Sequence, residues 1–276
     1  MKNLNSDIQS LFADGPNNVH VLADFDGTLT RDYNGDKKVP ALISVLRDHP
    51  GYLSPEYQAA AHDLANTYRP YEWDMTLPLE VRKAKMVEWW TKHKKLLIAS
   101  GLKFEHIEKL SKSDHIQFRE GAVEFLQLMH EADIPVVIMS ASGTGEAIQL
   151  FCADKRVDFP NMHYISNKFH WDENGNAIGF QEPLIHSLNK DETVIQDFAE
   201  IYSEVKDRPN VLLLGNSTGD VKMVEGFDAK KVVKIGFLDP QEKEKLPVLE
   251  EVFDYVMVEE EYQGLNGAIK SVLKNS

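Results

Sequence analysis

Asp24 and Asp26 stand two residues apart where the apolar run "VHVLADF" gives way to "DGTLT". In an extended segment residues i and i+2 lean to the same side, so the two carboxylates converge. At the carboxyl end of a buried strand such a pair can hold a hard cation such as Mg²⁺ through oxygen. The plain alternative is an Asp pair that caps the turn before Gly27.

Four further positions can serve the same crevice. Ser140 closes "PVVIMS" and is followed by "ASGTGE", a small-residue turn into a helix whose backbone N–H groups can hold a phosphate. Lys190, in "HSLNKDE", is a point charge able to neutralise a pentavalent phosphorus transition state. Asn216 and Asp220 occupy the small polar loop "GNSTGD" that follows "VLLL". Singly, each has an ordinary reading: Ser140 as a cap, Lys190 as a solvated lysine, Asp220 as a first-turn acid. The ordered combination is harder to dismiss.

The elements that must position these residues are strands. Apolar runs recur at Val19–Phe25, Pro135–Ser140, His163–Ser166, Val211–Gly215, Val232–Phe237 and Tyr255–Val258. Near-continuous hydrophobicity, in place of alternation, predicts strands buried on both faces, as in a parallel sheet covered by helices. Helical patterns separate them at "AVEFLQLMHEA", "GEAIQLFCADK" and "DETVIQDFAEIYSEV", an order that predicts an α/β doubly wound domain. From Lys37 to about Phe118 the strand signal disappears and three amphipathic helical stretches replace it, an inserted helical module. Ser54, followed by Pro55 and Glu56, supplies an N-cap there. "FHWDENGNAIGF" alternates around Asn-Gly and predicts a hairpin.

The bulk numbers bound the partners. A chain of 276 residues, 42% hydrophobic, can bury one large domain or a main domain carrying a smaller one. A formal net charge of −14 argues against a non-specific grip on nucleic-acid polymers or anionic membranes. The single cysteine, Cys152, excludes an intramolecular disulfide and a multi-cysteine zinc site, and reads as a small buried apolar residue. With no apolar run of signal-peptide or membrane-spanning length, a soluble cytoplasmic protein is expected.

Together "DFDGTLT", Ser140, Lys190 and "GNSTGD" resemble the four motifs of the haloacid dehalogenase (HAD) superfamily, over nearly the whole chain. The similarity is closer to the type III cytosolic pyrimidine 5′-nucleotidase family. "RPYEWDMTLPLEVRKAKMVEWWTKHKKLL", "IPVVIMSASGTGEAI", "YISNKFHWDENGNAIGF", "LIHSLNK" and "VLLLGNSTGD" look like that family's segments in its order. The resemblance implies a HAD-like doubly wound (Rossmann-like) parallel sheet core, residues 1–36 and 118–276. It also implies a helical cap, residues 37–117, that sets substrate specificity.

The activity so implied is Mg²⁺-dependent hydrolysis of a pyrimidine nucleoside 5′-monophosphate, CMP or UMP. Asp24 would attack phosphorus to give an aspartyl-phosphate, and Asp26 would protonate the leaving oxygen and later deprotonate water. Ser140 and the amides of Ala141 and Ser142 would hold the phosphate, with Lys190 stabilising charge. The metal would lie on Asp24, the backbone carbonyl of Asp26 and the residue opening the fourth motif, here Asn216, with Asp220 in support. In the cap, Glu72 would accept from the base's exocyclic amine and Trp90 would stack on its face.

Two positions depart from the family pattern. Ser142 stands where the family usually has Gly. Asn216 stands where it has an acid, and an amide oxygen coordinates Mg²⁺ without charge. One unit charge pair at ~4 Å is worth about 4 kcal/mol at an effective dielectric of ~20, before desolvation offsets part of it. Weaker metal binding is expected. Two other readings stay open: a nucleotide-binding protein with weakened catalysis, and a phosphatase for another small phosphomonoester such as phosphoserine.

Overall fold

The computed structural model of the chain describes residues 3–190, 195–225, 228–258 and 261–274. All six apolar runs are strands of one sheet: β1 Val19–Ala23, β4 Val136–Met139, β5 Met162–Ile165, β8 Asn210–Gly215, β9 Lys231–Phe237 and β10 Tyr255–Met257. Their order is β10-β9-β8-β1-β4-β5 and every pairing is parallel. Successive side chains alternate between faces, which divides the core in two. Val21, Ala23, Leu212 and Leu214 pack into one cluster, while Leu22, Val211 and Leu213 pack into the other. Burial on both sides explains why the sequence shows runs in place of alternation.

Helices cover both faces: α1 Leu4–Leu11, α6 Ala122–Glu131 and α7 Glu146–Asp154 pack on the first cluster, and the short helices Ala199–Val205 and Leu246–Glu250 pack on the second. Cys152 on α7 is fully buried, and desolvation pushes its thiol up to about 12, which suits the apolar reading. The predicted hairpin is β6 Phe169–Trp171 against β7 Ala177–Phe180, antiparallel, with Gly175 turning at φ +74°. Of the helical stretch "DETVIQDFAEIYSEV", residues 191–194 lie outside the described residues, and its later part is the helix Ala199–Val205.

The region between the first and second large-sheet strands is helical: α2 Leu42–Asp48, α3 Pro55–Trp73, α4 Leu79–Ala99 and α5 Phe104–Ser111. Ser54 caps α3 by accepting from the Tyr57 N–H at 3.3 Å, with Pro55 at the first helical position. α3 and α4 pack through Ala65, Tyr68, Met86 and Trp89, and Leu188 of a core loop packs against the same cluster. Two features go beyond the sequence reading. A two-residue ladder joins β2 Tyr33–Asn34 to β3 Lys37–Lys38, and α2 is an additional helix. α2 is only seven residues long and has no side-chain cap, so its local signal is short and unpunctuated.

Candidate active site

The sheet order brings the predicted residues together. β1 lies between β8 and β4, with Ala23 in register with Leu214 on one side and Ile138 on the other. Asp24, Ser140 and Asn216 therefore leave neighbouring strands at the same carboxyl edge. The Asp24 N–H still donates to Leu214 O at 3.0 Å, and that of Ser140 to Ile165 O at 3.0 Å, so both start from fixed backbone. A cavity of about 250 Å³ is lined by Asp24, Asp26, Ser140, Lys190, Asn216 and Asp220, among others.

Lys190 joins two of these loops. Its Nζ donates to Asp24 Oδ1 and, at 3.1 Å, to Asp220 Oδ1, with all three side chains buried. Thr28 Oγ1 donates to the other Asp24 oxygen at 3.3 Å. Burial alone would favour neutral Lys190, but the Asp220 and Asp24 carboxylates outweigh it and hold the ammonium above its ordinary range. Burial likewise pushes Asp24 up, opposed by Lys190 and reinforced by Asp220. Asp220 is fully engaged, because its Oδ2 accepts from the N–H groups of Asn216 and Ser217 and from Ser217 Oγ at 2.8 to 3.1 Å. It braces the loop that carries Asn216.

Asp26 lines the same cavity, and burial first, then the Asp32 carboxylate, pushes its pKa up to about 6. A carboxyl poised there can give and take a proton near neutral pH. The turn between these acids is held by Arg119, buried, whose Nη2 donates to Gly27 O at 2.7 Å and pairs with Asp239 at 2.6 Å. Gly27 has φ +77°, and a Cβ there would collide with Asn216 Nδ2 and Asp32 Oδ2. Glycine is the residue this crossing requires.

The phosphate-loop candidates hold a compact turn. The Ser142 N–H donates to Ser140 Oγ at 3.0 Å, and Asn167 Nδ2 donates to Ser142 O at 3.0 Å. With a serine at 142, its hydroxyl lies 3.4 Å from Thr144 Oγ1 and faces that turn. Gly143 admits the Trp90 ring, because a Cβ at 143 would strike it.

A second cavity of about 160 Å³ adjoins the first, sharing Ala41, Ile43, Trp90 and Ala141. Glu72 and Trp90 both line it, with Arg47, Arg69, His93 and Ser187. Trp90 stacks on Trp89 at 5.9 Å and on His93 at 5.8 Å between ring centres, which fixes its plane. Ser187 Oγ donates to Glu72 Oε1. Every catalytic, phosphate-binding, metal or base-reading candidate from the sequence thus lines one of two joined cavities. Sequence reasoning missed Asp32, Arg119, Asp239 and Ser187, each of which acts through a partner roughly a hundred or more residues away.

The donor set fits a hard cation. Asp24, Asp26 and Asn216 can each present an oxygen, the ligand type Mg²⁺ takes, with phosphate and water to complete its shell. Among the described residues no three His, Cys, Asp or Glu side chains form a metal-holding group.

Over residues 27–273 the sequence matches the model of a family described as pyrimidine 5′-nucleotidase (UMPH-1). The 7-methylguanosine phosphate-specific 5′-nucleotidase of Gallus gallus is 29% identical over 268 residues, 96% of this chain and 92% of that protein. The Homo sapiens protein of the same name is 30% identical over 262 residues, 94% of this chain and 86% of that one. Among solved structures, cytosolic 5′-nucleotidase IIIB bound to cytidine is similar with a TM-score of 0.81 at 29% identity, covering 98% of this chain and 91% of the other. Among the described residues no helix is long and apolar enough to cross a membrane.

Proposed function

The chain belongs to the pyrimidine 5′-nucleotidase (UMPH-1) family of phosphomonoester hydrolases, and from that footing we propose that it hydrolyses CMP or UMP to nucleoside and phosphate. The observation that carries this reading is the pair of joined cavities: one holds Asp24, Asp26, Ser140 and Lys190, the other Glu72 and Trp90. One suits a phosphate and the other a flat base with a polar edge.

In the first step an Asp24 oxygen attacks phosphorus and the P–O bond to the 5′ oxygen breaks, leaving an aspartyl-phosphate. Asp26 gives its proton to the departing oxygen. In the second step Asp26 takes a proton from water, whose oxygen attacks phosphorus and frees Asp24 and phosphate. Ser140 and the amides of Ala141 and Ser142 hold the phosphoryl oxygens, and Lys190 balances their charge. Asp24, the Asp26 carbonyl and Asn216, with Asp220 behind, would hold Mg²⁺, which when bound would supply the charge that lets two anions approach.

Residues 37–117 act as the cap that selects the base, over a core of residues 1–36 and 118–276. A pyrimidine is favoured over a larger, methylated purine because the base cavity holds only about 160 Å³, with Glu72 already accepting from Ser187. A cytoplasmic location goes with this reading, supported by the cytosolic nucleotidase it resembles.

The test is phosphate release from CMP, UMP, 7-methylguanosine monophosphate, AMP and phosphoserine, with Mg²⁺ titrated from micromolar to tens of millimolar. Selective CMP or UMP turnover saturating at high Mg²⁺ is expected. Nucleotide binding without release at any Mg²⁺ would instead assign the weakened binding protein that Asn216 suggests, and phosphoserine turnover would move the substrate class.

A further inference from the structure

Asn216 Nδ2 donates to Asp32 Oδ2 at 3.2 Å. An amide presents a donor at one end and an acceptor at the other, similar in shape, so its neighbours decide which end points where. A carboxylate only accepts. The Asp32 carboxylate therefore draws the NH₂ of Asn216 to itself and leaves the carbonyl oxygen as the opposite end of the group. Asn216 lines the cavity that also contains Asp24 and Asp26. A hard cation there takes oxygen and gains nothing from an NH₂.

We propose that Asp32 is a positioning residue for the metal site: it orients the Asn216 oxygen towards the cation and supplies, from behind the amide, the negative charge that position 216 lacks. The proposal rests on the Mg²⁺-dependent reading above. Three features of the surroundings support it. The Asp32 N–H donates to Asp239 Oδ2 at 3.3 Å, and Asp239 is gripped by buried Arg119, which also holds the Gly27 carbonyl. Asp32 and Asn216 meet over the Cα of Gly27, in space a Cβ would fill. Asp32 also lines a separate cavity together with Asp26, which places it beside the segment that carries the proposed ligands.

One consequence runs against the simple repair of the fourth motif. Asn216→Asp alone sets a second carboxylate against that of Asp32 at hydrogen-bonding distance, where like charges repel and one of the two must take a proton or turn away. The gain from a new charged ligand is then largely lost. Asp32→Asn together with Asn216→Asp exchanges the two groups, keeps the hydrogen bond with its donor and acceptor reversed, and puts the charge on the coordinating side.

The experiment is Mn²⁺ binding without nucleotide, read by the loss of the free-ion electron paramagnetic resonance signal at pH 7.5. It uses the wild-type chain, Asp32→Asn, Asn216→Asp and the double exchange, each checked for a cooperative thermal melt. Asp32→Asn is expected to weaken Mn²⁺ by ~10- to 100-fold, the range for loss of a group supporting a ligand. The double exchange should bind at least as tightly as wild type, and tighter than Asn216→Asp alone. Wild-type affinity in Asp32→Asn, or a double exchange no better than Asp32→Asn, would overturn the role of Asp32 while leaving the metal reading intact. If the wild type takes up no Mn²⁺ up to millimolar concentrations while hydrolysing CMP in EDTA, both fall together.

Discussion

Ser187 Oγ lies 2.5 Å from Glu72 Oε1, which ties the helix lining the base cavity to the loop that presents Lys190 three residues later. Leu188 of that loop also packs against the α3–α4 cluster. The groups proposed for base recognition and for charge neutralisation thus meet in one short segment.

Truncating Glu72 should separate the two. Glu72→Ala is expected to leave hydrolysis of p-nitrophenyl phosphate within ~3-fold of wild type while lowering kcat/KM for CMP by ~10- to 100-fold, the size of one or two hydrogen bonds to a charged group. Steady-state kinetics on both substrates checks it. Equal losses on the two would remove Glu72 from base recognition and make it a brace for the Lys190 loop.

Asp26 sets activity against stability. Its carboxyl is raised from 3.8 to about 6, first by burial and then by Asp32. A raised acid favours folding below its unfolded pKa and loses that contribution as pH rises through the folded value. At pH 7.5 the ionised group therefore costs up to roughly 3 kcal/mol, at ~1.4 kcal/mol per pH unit between the two values. Asp26→Asn should raise Tm at pH 7.5 by several degrees and, at pH 4, leave it nearly unchanged, while lowering kcat by ~10²-fold or more. A lower Tm at pH 7.5 would show that Asp26 holds its turn together more than it strains it.

What could be read from the sequence was local. Continuous apolar runs betray strands buried on both faces, and the carboxyl ends of those strands fix where Asp24, Ser140 and Asn216 emerge. Ser54 with Pro55, and Asn174 with Gly175, mark a helix start and a hairpin turn through chemistry confined to a few residues. The pairs that tune the site have no such signature. Asp32 meets Asn216 across 184 positions, and Arg119 meets Asp239 across 120. In the sequence each is one charged residue among many, and only the fold gives it a partner.

Gly27 is a position where that fold leaves no room. At φ +77° any side chain is strained, and a Cβ meets the Asn216 amide and the Asp32 carboxylate together. Gly27→Ala is expected to destabilise the protein by about 1–3 kcal/mol in urea unfolding and to weaken Mn²⁺ binding by more than Asp32→Asn does, because it displaces both groups. Wild-type metal affinity in a folded Gly27→Ala would show that the crossing is not needed for the site.

Acid should weaken the fold through buried histidines far apart in the structure. His20 on β1 donates from Nδ1 to Arg208 O at 2.7 Å, and His93 on α4 lies 3.0 Å from the Tyr57 hydroxyl. Burial pushes both down from 6.5 to about 4. Between those values the unfolded chain binds protons that the native chain refuses, so stability rises with pH across the window and levels off above 6.5. Each histidine then withdraws about 2 kcal/mol between pH 7 and pH 5. The raised Asp24 and Asp26 carboxyls act in the opposite sense, gaining protons on folding as pH falls, so the net curve understates the histidine effect. His20→Gln, away from the cavity, isolates it: urea midpoints at pH 5, 6 and 7 should show a flatter fall than wild type by that amount. An unchanged slope would mean that His20 takes up its proton in the native chain and that the Arg208 carbonyl is enough to stabilise the charged ring.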